Sequence, residues 1–598
     1  MPSQSRAERR LGHAVRVREP LGQERGPWTE RAKKLRWWGS TAWVLGIAVF
    51  AALHAWHLRA DFPNGSPWIF DWAKYTDEGW YGAAAVRAHL FGHWYMAGDF
   101  NAAVTLPVWP FVEWVLFFFT GVTVEAARGL AVSCFFASLA LTYLLLRGSG
   151  PRSHPADEDL SAGTPVFHPT DEDLSAGTPR WIALLGVSLA VTSPYLYCFN
   201  RLAILEPLET TLTLAILNAA VRLPRMRRPV MASVGIGLLF ALTMLTKTNA
   251  AFLAPAVGWA IASPLWGERK TALKCVLAAG STAAVVYSVW IALIGSAGLM
   301  GDFKYFFLSA NAYVKPAEFW WPLAAFWWSL HGMLWMDHSL VLLAGALAVG
   351  AAFAWRFPPR SPKARDRGHS HSDWGRRMGH DPVFGASILG ILGFVSFMTV
   401  QNHPQPRYFT VPAFFVCVVV TLGAGALAEQ AGWERRLGWI AIAAAVMTAG
   451  IHGWRTIGYA THPEYTFVNA ASELTQYIDT HPNGRRLMVA TSGDEITLIT
   501  RLPTICDELS TDDLADKVGR YEPGWFASWN AVDPSTLVDL HTRYSLEQVA
   551  SFSAFDDPER NVLVLFKLHP LPEGKERDES DPSLSDVLPG DRIEVPVE

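Results

Sequence analysis

Charge is what this chain has least of. Only 17% of its 598 residues are Asp, Glu, Lys or Arg, while 51% are hydrophobic; soluble proteins carry roughly a quarter charged residues. A large soluble enzyme is thereby excluded. Cysteine is also scarce. The five, Cys134, Cys198, Cys275, Cys417 and Cys506, form no CxxC pair, which argues against a zinc knuckle or a disulfide framework. Four lie in or beside apolar runs, where Cys behaves as a small hydrophobe. No small-residue cleavage site follows the first apolar run, so a cleaved signal peptide is not expected. The net charge of −4 says little about partners, and nucleic acid is not among those expected.

What the chain has instead is long apolar runs. They are about 17 to 25 residues long, the length that crosses a bilayer core. The expected fold class is mainly α: a polytopic membrane helix bundle with about eleven spans, helices lying in the outer interface, and a small C-terminal α/β domain. Spans are expected at Trp37–Leu58, Ala126–Leu146, Trp181–Cys198, Leu205–Val221, Pro229–Thr246, Asn249–Leu265 and Lys274–Ile294. Four more follow at Ser339–Trp355, Val383–Val400, Phe409–Ala428 and Leu437–Trp454. The run Leu106–Thr120, with Pro107, Pro110 and Glu113, reads as an interfacial or re-entrant helix.

Loop charge orients the bundle. The basic segment 1–36 and the loops Arg147–Arg180, Arg222–Arg228, Glu268–Lys274, Arg356–Arg377 and Glu434–Arg436 hold most of the Lys and Arg outside the spans. The positive-inside rule makes them cytoplasmic, in a cell (inner) membrane. Loops 59–125 and 298–337 and the α/β domain at 455–570 then lie outside. The cytoplasmic loop 148–180 holds a direct repeat, His154–Phe167 followed by His168–Trp181, which reads as a flexible duplication. His369 and His371 sit in a basic loop that reads as solvated. In the C-terminal domain, Tyr465–Asp479, Thr511–Tyr521 (capped by Thr511) and Leu546–Phe555 read as helices. Arg486–Thr491 and Asn561–Leu568 read as strands of a parallel-type sheet. The acidic stretch 571–598 reads as a disordered tail.

Ionisable residues at membrane depth are costly and therefore candidates for function. Asp77-Glu78 follows the first span. Such a carboxylate can act as a general base or hold a divalent metal beside a phosphate; the plainer reading makes Asp77 a helix N-cap. Arg201 and Glu206 flank a tight junction between spans and can form a salt bridge or face one cavity. Lys247 stands at the apex between two short helices, where it meets either a lipid phosphate or the headgroup layer. Arg407 can grip a phosphate bidentately, with Tyr408 beside it and His403 a possible acid or base. Trp320, Trp321, Trp327, Trp328 and Trp335 form an aromatic band, either interfacial or part of a substrate groove.

In their order and spacing these features resemble the GT-C glycosyltransferases, closest to the family of aminoarabinose transferases, protein O-mannosyltransferases and rhizobial lipopolysaccharide core transferases. The likeness spans residues 37–454. It rests on Asp77-Glu78 with Tyr81, Arg201 with Glu206-Pro207, Thr246-Lys247, and Arg407-Tyr408 with Pro412. It implies transfer of a sugar from a polyprenyl-phosphate donor to a lipid, glycan or protein acceptor, outside the membrane and by inverting displacement. Asp77, Glu78 and Glu206 would be the catalytic acids, with Asp77 the base. Lys247, Arg407, Tyr408 and Arg201 would bind the donor phosphate, and Trp80, Tyr81 and His403 would line the groove. No cofactor is implied beyond a divalent metal on Asp77 or Glu78. Trp80 stands where aminoarabinose transferases carry Arg, and Val104–Pro107 replaces their Glu-Lys-Pro-Pro. A transporter or flippase of similar helix count is the rival, but no inverted helix repeat is visible.

Overall fold

The computed structural model describes residues 27–149, 178–310, 321–356, 373–401, 405–507, 510–557 and 560–572. Residues 47–598 form one compact unit and residues 1–46 another. The tandem repeat up to residue 177, the HSHS loop, Trp320, His403 and residues 573–598 of the acidic tail lie outside the described residues.

In chain order the first helices are α1 (Pro27–Ala55), α2 (Asp77–Phe91), α3 (Val108–Thr120), α4 (Val124–Gly148), α5 (Arg180–Val191), α6 (Pro194–Phe199), α7 (Glu206–Ala220), α8 (Pro229–Thr246) and α9 (Ala254–Ala262). Next come α10 (Arg269–Ser296), α11 (Met300–Lys304), α12 (Trp321–Gly332), α13 (His338–Arg356), α14 (Asp373–His380), α15 (Pro382–Val400), α16 (Thr410–Ala428) and α17 (Gly432–Thr461). Among the described residues seven helices are long and apolar enough to cross a membrane: α4, α8, α10, α13, α15, and those containing α16 and α17. The chain is a multi-pass membrane protein. The expected eleven spans are not reached by this measure, for local reasons. Pro194 opens α6 and separates it from α5, because proline cannot donate to the preceding turn. The run Asn249–Leu265 divides into a 3₁₀ turn, Thr248–Leu253, and the short α9. Helix α3, at 13 residues, is about 20 Å long, shorter than about 30 Å of hydrocarbon.

Helix α16 is apolar on all sides and buried along nearly its whole length, as a central bundle helix must be. It packs against α5, α13, α15 and α17. Gly390 on α15 makes room for Phe415 at that contact. All five cysteines are buried.

After α17 come α18 (Thr466–Thr480), β1 (Met488–Ala490), α19 (Gly493–Thr500), β2 (Thr504–Ile505), α20 (Leu514–Tyr521), β3 (Trp525–Trp529), α21 (Pro534–His541), β4 (Tyr544–Ser553) and β5 (Val562–Pro570). The sheet order is β2-β1-β3-β5-β4. Only β2-β1-β3 is parallel; β3-β5-β4 is antiparallel, so the expected parallel sheet is corrected to a mixed one. Alternation sorts the two faces. Leu563 and Leu565 of β5 pack with Phe467, Leu474 and Ile496 of α18 and α19. Val564, Phe566 and Leu568 pack with Leu514, Val518 and Leu540 of α20 and α21.

The expected helix Leu546–Phe555 is strand β4 instead. A bulge between Gln548 and Ala550 shifts its register, so Leu546 faces one core while Val549, Ala550 and Phe552 face the other. The bulge turns a period of two into an apparent i, i+3, i+4 pattern, which mimics a helix. Asp513, not Thr511, occupies the N-cap position of α20.

Candidate active site

The stretch between α1 and α2 is a polar strap. Asp71 caps a 3₁₀ turn at Trp72–Lys74, accepting the Ala73 N–H at 2.9 Å. Thr76 holds the N-cap position of α2. Asp77 is therefore the first helical residue rather than the cap, and its carboxylate is left for tertiary contacts.

Four separate stretches meet there. Arg407 lies in a 3₁₀ turn, Pro406–Phe409, at the start of α16. Its Nη2 is 2.8 Å from Asp77 Oδ2, its Nη1 is 2.5 Å from Asp71 Oδ1, and its backbone N–H donates to Asp71 Oδ2 at 3.0 Å. Its Nε is 3.8 Å from Glu206 Oε1, and the same oxygen pairs with Lys247. Lys247 ends α8 in extended backbone, which turns its side chain away from the helix axis. Its Nζ sits 4.4 Å from the centre of the Tyr408 ring, and the Arg407 guanidinium carbon 5.1 Å from it. Cations over an aromatic face are stabilised by its quadrupole.

All of these charges are buried. Burial pushes the Asp77 carboxyl up to about 6, and the Arg407 guanidinium partly offsets that shift. Glu206 Oε2 accepts no hydrogen bond, so it keeps its lone pairs available, whereas Asp77 Oδ2 is engaged by the Arg407 guanidinium. Burial also raises the Tyr81 hydroxyl well above its ordinary value; Tyr81 lies one turn after Asp77, with Asp77, Arg407, Tyr408 and Glu206 in electrostatic range.

Other expected site residues go elsewhere. Glu78 turns from its neighbour and is held bidentately by Arg128, at 2.7 and 2.6 Å, and it also accepts the Ala203 N–H at 2.8 Å. Arg201 does not pair with Glu206. It bonds the Tyr197 hydroxyl and the carbonyls of Trp56 and His57, tying two chain segments together. Trp80 is core: its indole N–H donates to the Thr491 carbonyl at 3.2 Å, and its ring packs 4.8 Å from Phe100. Asp77 and Glu78 thus engage different cations and share no ion-binding edge. Among the described residues no cluster of three metal-ligating groups converges.

Sequence reading passed over two parts of the site. Asp71 grips Arg407, and its only signal was an acid six residues before Asp77. The second part is the C-terminal region. Glu495, at the start of α19, accepts the Gly79 N–H at 2.7 Å. Gly79 lies so close to the backbone of Asp494 and Glu495 that no Cβ fits. Lys74 and Tyr75 both bond Asp557, and Asp99 accepts the Cys506 N–H at 2.9 Å. Asp61 accepts the N–H groups of Phe467 and Val468 at the start of α18. The sheet region therefore clamps the strap that carries Asp71 and Asp77.

No model of a known protein family matches the chain, and no curated protein does. Among solved structures it is similar to ArnT from Cupriavidus metallidurans bound to undecaprenyl phosphate: TM-score 0.49, 14% identity, covering 88% of this chain and 98% of that one. It is similar to the archaeal oligosaccharyltransferase AglB from Archaeoglobus fulgidus, in complex with an inhibitory peptide and a dolichol-phosphate (0.47, 13%, 90% and 76%). A third is the mycobacterial arabinofuranosyltransferase AftD (0.43, 12%, 88% and 40%). At these scores the likeness assigns neither family nor activity, and the functional reading below is argued from the cluster itself.

Proposed function

We propose that this protein is a membrane glycosyltransferase that moves a sugar from a polyprenyl-phosphate donor to an acceptor hydroxyl or amine, with Asp77 as the base. The observation that carries this is the convergence of Asp77, Glu206, Lys247 and Arg407, from four distant stretches, in one buried cluster beside the ends of α7, α8 and α16. Two cations at the ends of apolar helices suit a phosphate whose lipid chain lies in the bilayer.

Carboxylates neutralise those cations in the structure. An entering phosphate exchanges for them. Arg407 keeps Asp71 on one edge and turns Nη2 to the phosphate, while Lys247 leaves Glu206 for a phosphate oxygen. Asp77 is thereby released from its ion pair. The acceptor attacks the anomeric carbon from the face opposite the phosphate, and the bond from that carbon to the phosphate oxygen breaks. The leaving polyprenyl phosphate takes the electron pair, held by Lys247 and Arg407. The acceptor proton passes to Asp77, whose raised value of about 6 suits a base near neutral pH. Glu206 orients the acceptor and re-forms its pair with Lys247 as product leaves.

The test is transfer of labelled sugar from a polyprenyl-phosphate donor by purified protein. Asp77→Asn should abolish transfer while leaving donor binding within a few-fold of wild type. Full activity in Asp77→Asn rules out Asp77 as base.

A further inference from the structure

A cleft of about 430 Å³ lies outside the charged cluster. The segment before α13 forms one side, the end of α17 another, and Trp68 of the strap the floor. The cleft and the cluster share a wall. Trp68 donates its indole N–H to the Trp335 carbonyl at 2.6 Å, and the Trp335 ring packs edge-on against Phe409 at 6.4 Å. Phe409 is two residues from Arg407, and Trp68 three from Asp71.

The charge in the cleft has one sign to spare. Asp337 is satisfied twice, capping α13 through the Leu340 N–H at 2.7 Å and pairing with His452. His452 is itself 5% exposed, with its second ring nitrogen unpartnered. Arg455 and His338 are exposed and line the same cleft, and among the described residues neither forms an ion pair. The outward face of α17 leading to Arg455 is apolar: Met447, Ile451 and Trp454 are 65%, 52% and 79% exposed. On a helix apolar enough to span, such a face meets lipid chains. A ligand reaching this cleft from that side brings a hydrocarbon chain, and the cations select its head.

The geometry points to a second lipid-phosphate site, formed by Arg455, His338 and the Trp68–Trp335 wall, that takes the phosphate head of a membrane-embedded lipid. Arg455 supplies a planar fork for phosphate oxygens, and the half-buried indole of Trp335 covers the first carbons of the chain. The Trp68–Trp335 hydrogen bond separates this site from the Arg407 cluster, so the cleft holds a lipid phosphate next to the reaction centre without placing it there. Binding in the cleft does not depend on the transferase reading.

Native mass spectrometry of the full-length protein, released from detergent with added polyprenyl monophosphate, tests this. Wild type should retain two copies, and Arg455→Gln and Arg455→Glu one, with cleft affinity lowered roughly tenfold or more. Arg455→Lys should keep the second copy, which also reports that the fold tolerates change there. An unchanged stoichiometry in both Arg455→Gln and Arg455→Glu overturns the site. Equal retention of uncharged polyprenol, or displacement by matched inorganic phosphate, overturns the assignment to a lipid phosphate. Arg407→Gln should remove the other copy. If it removes none while Arg455→Gln removes one, the donor-site reading fails and the cleft stands.

Discussion

Replacing Gly79 with alanine tests how the C-terminal region controls the charged cluster. The new Cβ would land on the backbone nitrogen of Glu495 and the carbonyl group of Asp494. Backbone atoms at the start of a helix cannot swing aside as a side-chain tip can. Either α2 retreats or α19 does, and the bond from the Gly79 N–H to Glu495, 2.7 Å long, stretches with them. Overpacking of this kind costs about 1–3 kcal/mol. The larger consequence is kinetic. Asp77 is two residues away on the same first turn, and a displacement of about 1 Å at a reacting group can cost on the order of 100-fold in rate. The assay is sugar transfer by purified protein, with limited proteolysis of the C-terminal region alongside. Gly65→Ala is the control, since a Cβ there meets nothing within 4 Å. The expected result is a rate loss of about 100-fold and faster cleavage after α17 in Gly79→Ala alone. Wild-type rate and cleavage in Gly79→Ala would refute the clamp.

Glu78→Gln should fail differently from its neighbour Asp77→Asn. It leaves Arg128 buried without its counter-ion, at a cost of about 3–5 kcal/mol, so thermal unfolding and the yield of monodisperse protein should fall. Arg201→Lys should leave the KM for donor unchanged, because Arg201 bonds carbonyls and Tyr197 outside the cluster; a large rise in KM would place it at the phosphate. The acid limb of kcat/KM should lie near pH 6, where Asp77 gains its proton, and it describes the coupled cluster rather than one group. The stability sign is opposite to that of an ordinary salt-bridged acid. The Asp77 value is raised on folding, so the folded state binds more protons between about 4 and 6. That contribution is largest at low pH and is lost as pH rises through about 6, which unfolding at pH 5 and 7 in Asp77→Asn and wild type would measure.

Sequence alone determined the class of solvent this chain lives in, because apolar run length and missing charge are local quantities. It also picked out Asp77, Glu206, Lys247 and Arg407, because an ionisable residue beside an apolar helix is conspicuous wherever it points. It preferred Asp77 to Glu78 as the base but kept Glu78 in the site, and it placed Arg201 beside Arg407 at the phosphate. Those neighbours differ only in direction, which is set by helix phase and by partners fifty or more residues away: Arg128 turns Glu78 aside, and the Trp56 and His57 carbonyls hold Arg201. It misread β4 because a single bulge gave a strand the spacing of a helix. The clamp of α19 on Gly79 and the grip of Asp71 on Arg407 were decided by tertiary structure alone. Each joins segments more than 300 residues apart, and close backbone approach and buried charge pairing leave no periodic trace in a linear sequence.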